Sequence, residues 1–440
     1  MDLFINPVFG GVAAMLLFSL LRVHVTIALL LGSLYAGLLG GMALPEIFSS
    51  FQGGLAPGAA IAVNYALLGA FVCSLADAGL VEWVLRHLLP IDPEKNFSRW
   101  RILLPLTAIA LLCKNLVPVH IAFIPVLIPP LLAPMARLGL DRRAVSCGLS
   151  CGLVTAYVAF PIGFGHIFLC DILVKNLRTN GLAISTAGAY GAVAIPIACV
   201  VVGLVTAFLI SYGRKRTYDR APIRALALPE QPKLSRRRLT GAALSLIVVL
   251  AVQLLTGNNM LAGIVAGILT LWITGTVRRN RMDMLSREGI RMMAPIATIM
   301  IIANGFSAVL RATGGVTSLS TILAAAVGGS RPLAAFLMLA VGTFTAVGIG
   351  SSFATIPIVA AVYVPLCTSL GFSPTATAAI VAFSAVPGDP ASPVSDSNNA
   401  ISSGLSADGQ FDHLRDCVLP SILHCALPYF AGGWIASMVL

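Results

Sequence analysis

Apolar runs of about 20 residues alternate with short polar segments along most of this chain. Runs of that length can cross a bilayer as helices, and PVFGGVAAMLLFSLL and GAVAIPIACVVVGLVTAFLI are two examples. The pattern predicts full spans near 4–21, 24–42, 59–77, 144–171, 187–212, 239–256, 259–277, 291–310, 375–400 and 417–438. These spans predict an all-α polytopic membrane protein.

Two further apolar stretches, 101–136 and 332–370, are interrupted halfway by polar or helix-breaking residues. The interruption is CKNLVPVH in the first stretch and GIGSS in the second. Irregular backbone at membrane depth is tolerated only where protein or a water-filled cavity surrounds it. We therefore expect each stretch to form a re-entrant hairpin that enters and leaves on the same side of the membrane.

The charge distribution indicates an orientation. The 440 residues are 58% hydrophobic and only 10% charged, against about 25% charged in soluble proteins. The formal net charge of +11 is concentrated in loops, and segment 213–238 alone holds nine Lys or Arg. With that segment in the cytoplasm, 23 of the 28 basic residues lie on the cytoplasmic side, as the positive-inside rule requires. The charge therefore favours a multi-pass protein of the cytoplasmic (inner) membrane and does not indicate a nucleic-acid partner.

A shift of 232 residues aligns two parts of the chain. AFIPVLIPPLLAPMARLG (122–139) lies over ATIPIVAAVYVPLCTSLG (354–371), with a proline and a Leu-Gly pair conserved at the same offset. Each half then holds five transmembrane helices plus a re-entrant hairpin, and an odd number of crossings inverts the second half. The predicted organisation is two inverted repeats, 1–212 and 239–440, joined by the cytoplasmic basic linker 213–238. Inverted repeats with broken helices at the midplane are typical of secondary transporters.

The stretch VPGDPASPVSDSNN (386–399) interrupts a span of the second half, and VTAYVAFPIGFGHI (154–167) is its counterpart in the first. Proline removes a backbone donor and breaks the helix. Asp389 and Asp396 are the acidic residues that the pattern places well inside a span, where a costly carboxylate is a functional candidate. The alternatives are that Asp396 caps the helix that follows and that Asp389 holds the unwound turn together.

The hairpin tips add further candidates. Ser351 and Ser352 offer hydroxyls, and Asn115 could coordinate a cation through its side-chain carbonyl. Lys114 could pair with an aspartate, receive a substrate carboxylate, or snorkel to the cytoplasmic surface. His120 and His166 could relay protons near neutral pH, or they could be ordinary packing residues.

Several other classes are disfavoured by missing motifs. The chain contains no HExxH, GxSxG or P-loop, which argues against a metalloprotease, a serine hydrolase or an ATP-driven pump. An intramembrane aspartyl protease would need Gly-x-Gly-Asp, and here the aspartate follows VPG. A channel remains a rival, although paired broken helices favour alternating access. The sequence therefore predicts a protein that is not an enzyme and that needs no cofactor.

KNLVPVHIAFIPVLIPPLL together with GDPASPVSD resembles the NhaC-type Na+/H+ antiporter family of the ion transporter superfamily. The resemblance covers essentially the whole chain and is closest to a branch of predicted permeases for which amino-acid, particularly histidine, transport has been proposed. It implies a secondary active transporter that moves Na+ and/or H+ by alternating access. The alternative that it implies is a Na+- or H+-coupled amino-acid permease. It also implies a scaffold and a mobile region in each half, frequently assembled as a homodimer.

The resemblance also implies ion sites between each hairpin tip and the broken helix of its own half, with Na+ or H+ as the coupling ion. The family has a threonine run after the second aspartate, where this chain has SNN. The implied ligands are Asn115, His120, Gly163 and Gly165 at the first site, and Ser351, Ser352, Asp389, Ser392, Ser395 and Asp396 at the second. The candidates for contact with an organic substrate are Lys114, His166 and Asn398.

Overall fold

The structure is a computed structural model, and its described part is helical without any strand. The described residues are 6–21, 23–80, 83, 87, 98–116, 124–125, 127–224, 235–257, 259–315, 318, 328–349, 351–393 and 395–440. His120 and most of the first hairpin tip lie outside these residues, as does the central part of the basic linker.

The first half of the chain forms nine helices in its described part. They are α1 (Pro7–Leu20), α2 (Val25–Leu39), α3 (Leu44–Gly53), α4 (Leu55–Asp77), α5 (Trp100–Leu116), α6 (Leu132–Leu138), α7 (Arg142–Ala159), α8 (Phe164–Thr179) and α9 (Thr186–Ser211). Helices α8 and α9 include stretches of the wider π-helical winding.

The linker contributes the short helix α10 (Arg220–Arg224), and the described part of the second half forms nine more helices. They are α11 (Arg236–Leu255), α12 (Met260–Ile273), α13 (Arg279–Ala312), α14 (Arg331–Ile349), α15 (Ser352–Ser369), α16 (Pro374–Ala385), α17 (Gly388–Ala391), α18 (Asp396–Leu405) and α19 (His413–Val439).

Several of these helices are long and apolar enough to cross a membrane. Among the described residues, Gly58–Asp77, α9, α11, α15 and α19 meet that condition singly, and α7 with α8 meets it as a pair bent by 64°. Shorter apolar helices accompany them in α2, α5, α12, α13 and α14. The protein is therefore a multi-pass, all-helical membrane protein, as the hydrophobic pattern predicts.

Two helices differ from the predicted spans. Helix α3 occupies a segment that the pattern leaves as a loop, and Pro45 in its first turn and a Glu46 side chain that accepts from the Ala43 amide at 3.2 Å favour it there. Helix α13 has 34 residues, a length of about 50 Å, where the pattern predicts only 291–310. Its first turns carry Arg and Asp side chains that lie outside any apolar run, which is why hydrophobicity alone misses them.

The helices pack in two groups, and each group takes helices from both halves of the chain. The first packing group contains α1–α4 and α11–α13, and the second contains α5–α9 and α14–α19. Within the first group α4 and α13 approach so closely that a Cβ at Gly69 would lie 2.2 Å from the Gly289 carbonyl oxygen. Contacts between α13 and α15 join the two groups.

One end of the second packing group, here called the basic end, is held by ion pairs and hydrogen bonds. The buried Arg142 guanidinium makes two bonds to Asp408, at 2.7 and 2.6 Å, and one to the Leu405 carbonyl oxygen at 3.1 Å. Arg216 pairs with Asp416 at 2.8 Å. Burial alone would raise the pKa of Asp408, but the hydrogen bonds and charge of Arg142 outweigh it and hold that pKa below its ordinary value.

Candidate functional site

The break between α7 and α8 is bridged by one amide side chain. Asn115, in the last turn of α5, donates to the Ala156 carbonyl oxygen at 2.5 Å and accepts from the Gly165 amide at 2.9 Å. Gly163 has φ +58°, and a Cβ there would lie 2.0 Å from the Asn115 carbonyl oxygen. A Cβ at Gly165 would meet the Phe160 carbonyl oxygen at 1.9 Å. Gly163 is therefore required by the close approach of α5 to the break, and Gly165 by the tight turn of the break itself.

The break in the second half is bridged in a similar way. The buried Asn398 amide donates to the carbonyl oxygens of Pro390 (3.0 Å) and Ser392 (2.9 Å), which satisfies backbone groups that the prolines release. Ser392 donates to the Val347 carbonyl oxygen at 2.8 Å and so holds the break against α14. The side-chain amide of Asn398 thus stabilises the backbone of the break.

Helix α18 begins directly after this break, and its cap is a serine. The Ser395 hydroxyl accepts from the Asn398 amide at 3.3 Å, so the alternative that Asp396 is the cap is wrong. Asp396 is instead the first helical residue and is exposed, where the helix dipole favours its negative charge. Ser395 precedes it, is fully buried and supplies the capping oxygen.

A buried ion pair joins the two halves between these breaks. The Lys114 ammonium lies 3.4 Å from a carboxylate oxygen of Asp389, and it also donates to the Ser397 hydroxyl at 3.2 Å. The residues Lys114 and Asp389 are only 4% and 6% exposed. Because removing a charged group from water is energetically costly, a buried charge requires an opposite charge and further hydrogen bonds. Lys114 does not extend toward the basic end, so the snorkelling alternative is wrong for this structure.

Tyr157 completes the surroundings of the pair. Its hydroxyl donates to the same Asp389 oxygen at 3.2 Å and lies 2.9 Å from the Ser352 hydroxyl. Because the single phenol proton goes to the carboxylate, Ser352 donates to Tyr157. The Lys114 ammonium also lies 4.7 Å from the centre of the Tyr157 ring, which is a cation–π contact.

An aromatic cluster packs beside the ion pair and is defined here as Tyr65, Tyr157, Phe164, Phe168 and Phe353. The ring of Phe353 is central, with centroid distances of 4.7 Å to Phe164, 5.0 Å to Tyr157, 5.1 Å to Phe168 and 6.4 Å to Tyr65. The rings come from α4, α7, α8 and α15, so both packing groups contribute. Tilted and edge-to-face contacts of this kind favour a closely packed cluster.

The other predicted residues have separate positions. Ser351 caps α15 by accepting from the Ala354 amide at 3.4 Å, and His166 is half-buried in the first turn of α8. No bond joins either residue to Lys114 or Asp389 among the described residues. Asn115 contacts the break of its own half, whereas Lys114 reaches across to the break of the other half.

Three residues escaped the sequence analysis. Tyr157 and Ser397 both contact the ion pair, and they lie at the repeat offset of 232 residues from Asp389 and Gly165, respectively. That register could therefore have identified them. The third is Asp171, which the hydrophobic pattern places at the end of the predicted span 144–171 and the structure places in the middle of α8.

The atoms around Asp389 that could coordinate a cation are carboxylate and hydroxyl oxygens, which suit hard cations and protons. In the described part of the chain no three His, Cys, Asp or Glu side chains come together as a transition-metal site would require. The arrangement can hold one small cation or proton beside a carboxylate, in competition with the lysine.

Two solved structures of membrane transporters have folds similar to that of this chain. MtrF of Neisseria gonorrhoeae, described as illuminating a class of antimetabolite efflux pumps, has a TM-score of 0.63 at 15% identity, covering 90% of this chain and 85% of its own. The YdaH transporter of Alcanivorax borkumensis has a TM-score of 0.61 at 17% identity, covering 89% and 88%. This chain therefore shares its fold with these membrane transporters.

Sequence relatives define the family. The profile of the Na+/H+ antiporter family matches residues 148–434, and a second Na+–H+ antiporter family profile matches 6–91. The uncharacterized membrane protein VP2115 of Vibrio parahaemolyticus is 41% identical over 442 residues, 99% of this chain and 100% of that protein. YuiF of Bacillus subtilis, provisionally named an amino acid transporter, is 41% identical over 446 residues, with coverage of 99% and 100%. The chain belongs to the Na+/H+ antiporter family.

Proposed function

We propose that this protein is a secondary active transporter that moves Na+ and/or H+ across the cytoplasmic membrane by alternating access. The observation that carries the proposal is the buried Lys114–Asp389 pair, 3.4 Å apart between a hairpin and a broken helix. In the proposal Asp389 carries the coupling ion, and Lys114 takes the place of that ion when it is absent.

The energetics of burial support this exchange. A buried carboxylate without a positive partner is strongly unfavourable, and removing one member of a buried pair costs about 3–5 kcal/mol. A sodium ion or proton that reaches Asp389 supplies the compensating charge and releases Lys114. The hydroxyls of Tyr157, Ser352 and Ser397 lie close enough to solvate either occupant.

The helix bounds support the inverted-repeat organisation that alternating access requires. The helices after the two hairpins start at Arg142 and Pro374, and the helices after the two breaks start at Phe164 and Asp396. Both pairs are separated by the offset of 232 residues found in the sequence. Inverted repeats of this kind allow one fold to open to either side of a membrane around a fixed site.

The two packing groups supply the parts that would move. In this proposal the first packing group is the scaffold, because α4 and α13 meet backbone to backbone at Gly69 and Gly289. The second packing group contains both hairpins and both breaks and would move relative to it. The basic end would face the cytoplasm by the positive-inside rule.

Transport in proteoliposomes tests the proposal directly. Purified protein is reconstituted, and flux is driven by an imposed Na+ or H+ gradient. We expect Asp389→Asn to abolish gradient-driven flux while the folded protein stays in the membrane. Asp283→Asn is the matched control, because the Asp283 side chain is 75% exposed and pairs with Arg287 one turn away. Wild-type flux by Asp389→Asn would overturn the assignment.

The second candidate is a Na+- or H+-coupled amino-acid permease. It is favoured by the provisional name of the Bacillus subtilis relative. Both candidates share the same ion site at Asp389 and differ in whether an organic substrate accompanies the ion. Uptake of labelled amino acids under the same imposed gradients distinguishes them.

A further inference from the structure

A polar cavity of about 280 Å³ lies between the two packing groups, away from the ion pair. One wall is α8, and the other is α13 with the α3–α4 junction. The lining residues are Ser50, Gly53, Gly54, Asp171, Lys175, Asn176, Thr179, Asn304, Ala308, Arg311 and Ala312. The cavity therefore lies where a scaffold and a mobile group would separate.

The charged side chains that line this cavity are Asp171, Lys175 and Arg311. Arg311 is half-buried, and its guanidinium donates to the Ser307 hydroxyl at 2.7 Å. Within the described chain, neither Arg311 nor Lys175 lies within 4.0 Å of a carboxylate, and Asp171 has no basic partner within that distance. Opposite charges thus line one cavity without an ion pair between them.

The remaining wall is small and polar. Gly54 packs directly on α13, where a Cβ would meet the Asn304 carbonyl oxygen at 2.8 Å, so the junction cannot carry a larger residue without moving. The Asn304 and Asn176 amides donate to their own helices, at 2.8 Å each. Their side-chain carbonyl oxygens add acceptors to the lining. A small ligand with both a cationic and an anionic group is the chemistry that this lining complements.

We propose that the cavity binds the charged groups of a free α-amino acid, with Arg311 on the carboxylate and Asp171 on the ammonium. The guanidinium of arginine matches a carboxylate with two parallel hydrogen bonds. The proposal rests on the second candidate of the proposed function, the coupled permease, because it names the site of the organic substrate that accompanies the ion. It moves the carboxylate partner from Lys114, where the sequence suggested it, to Arg311.

The position of the aromatic cluster explains why Lys114 is not the partner in this conformation. Moving along α8 from the break, Phe164 and Phe168 of the cluster come first, and Asp171 and Lys175 of the cavity follow. The distance along the helix from Phe164 to Asp171 is roughly 10 Å. Lys114 is already paired behind the cluster, so a ligand in the cavity reaches Arg311 without displacing that pair.

Equilibrium binding to the purified full-length protein in lipid nanodiscs tests this site. The probes are the twenty standard radiolabelled L-α-amino acids, each followed by its analogue without the carboxylate or without the amine. We expect at least one amino acid to bind and both analogues of it to bind at least tenfold more weakly. Arg311→Gln and Asp171→Asn should each weaken binding by roughly 10- to 100-fold, and Arg311→Lys should recover part of the loss.

Arg331→Gln is the matched control. Arg331 donates to the Leu370 carbonyl oxygen and lies over the Phe372 ring, outside the cavity. It should bind the amino acid with wild-type affinity. Thermal unfolding of each variant in the same nanodiscs establishes that the binding losses come from folded protein.

The outcomes separate this inference from the proposed function. Wild-type affinity in folded Arg311→Gln, or no binding by any of the twenty probes, would overturn the inference. Neither result would contradict the proposed cation transport through Asp389. Amino-acid binding that depends on Arg311, in a protein that no Na+ or H+ gradient can drive, would support the inference and refute the proposed function.

Discussion

Replacing Lys114 by glutamine removes the fixed cation beside Asp389 while keeping an uncharged polar side chain at that position. In the proposed mechanism the lysine ammonium and the transported cation compete for one carboxylate. The variant should therefore retain cation flux, bind the coupling cation more tightly and show a displaced pH profile of transport.

The size of the effect follows from the geometry. Two unit charges 3.4 Å apart attract by about 5 kcal/mol at an effective dielectric constant of about 20. Much of this attraction is offset by the desolvation of the ammonium. If only a third to a half remains as competition, the dissociation constant for the coupling cation falls by roughly 10- to 100-fold, since about 1.4 kcal/mol corresponds to a factor of ten.

Binding of radioactive sodium to the purified protein, together with the pH profile of flux in proteoliposomes, measures both quantities. Lys114→Arg keeps the charge and should stay near wild type in cation affinity. Lys215→Gln, which removes an exposed lysine at the basic end, controls for net charge. A cation affinity and a pH profile that both match wild type would refute the competition. Loss of amino-acid binding in Lys114→Gln, with binding intact in Arg311→Gln, would show that Lys114 and not Arg311 binds the carboxylate of the amino acid.

Two structural predictions follow from the breaks and the basic end. Asp408→Asn leaves Arg142 buried without a counter-charge and should destabilise the protein by about 3–5 kcal/mol near neutral pH, measured by thermal unfolding in detergent. Because the pKa of Asp408 is lowered in the folded state, Asp408 stabilises the folded protein above its ordinary pKa of about 3.8, and this stabilisation is lost as the pH falls below that value. The variant should therefore lose less stability on acidification than the wild type, and an equal loss in both would contradict this. Gly163→Ala should lower the unfolding temperature more than Gly181→Ala, since both have positive φ but only Gly163 faces a backbone atom within 4 Å.

The sequence predicts the helical breaks well because proline chemistry is local. Pro387, Pro390 and Pro393 follow one another closely and favour an interruption there, and the helix that ends at Ala391 is followed by the next one only at Asp396. Single prolines are weaker signals, since Pro196 and Pro357 lie inside continuous helices. Asp389 is likewise identifiable, because a carboxylate inside an apolar segment needs a reason that the segment itself does not supply. The spans that the hydrophobic pattern predicts are present as helices, because the length of an apolar run is also a local property of the sequence.

Contacts between distant parts of the chain could not be read in this way. The choice among three roles for Lys114 depends on Asp389, 275 residues away, and no local pattern reports that distance. Tyr157 resembles any aromatic residue of an apolar helix until the repeat register places it opposite Asp389. Asp171 ends the predicted span 144–171 and Arg311 directly follows the predicted span 291–310, where charges are common. Only the packing of α8 against α13 shows that they share a cavity.

The ion pair gives a physical basis for coupling between the ion and the conformation. Lys114 belongs to the hairpin of the first half and Asp389 to the break of the second, and both lie in the second packing group. The pair is therefore broken by a rearrangement inside that group, which must accompany any movement of the group against the scaffold if ion and conformation are to be coupled. A ligand can shift a conformational equilibrium only by as much as its affinities for the two states differ. A shift from 1:99 to 99:1 requires about 5.5 kcal/mol, whereas the part of the attraction at 3.4 Å that survives desolvation is roughly 2 kcal/mol. A cation that binds Asp389 only when Lys114 has left can therefore supply about a third of the difference that such a shift requires, and further contacts that differ between the two states must supply the rest.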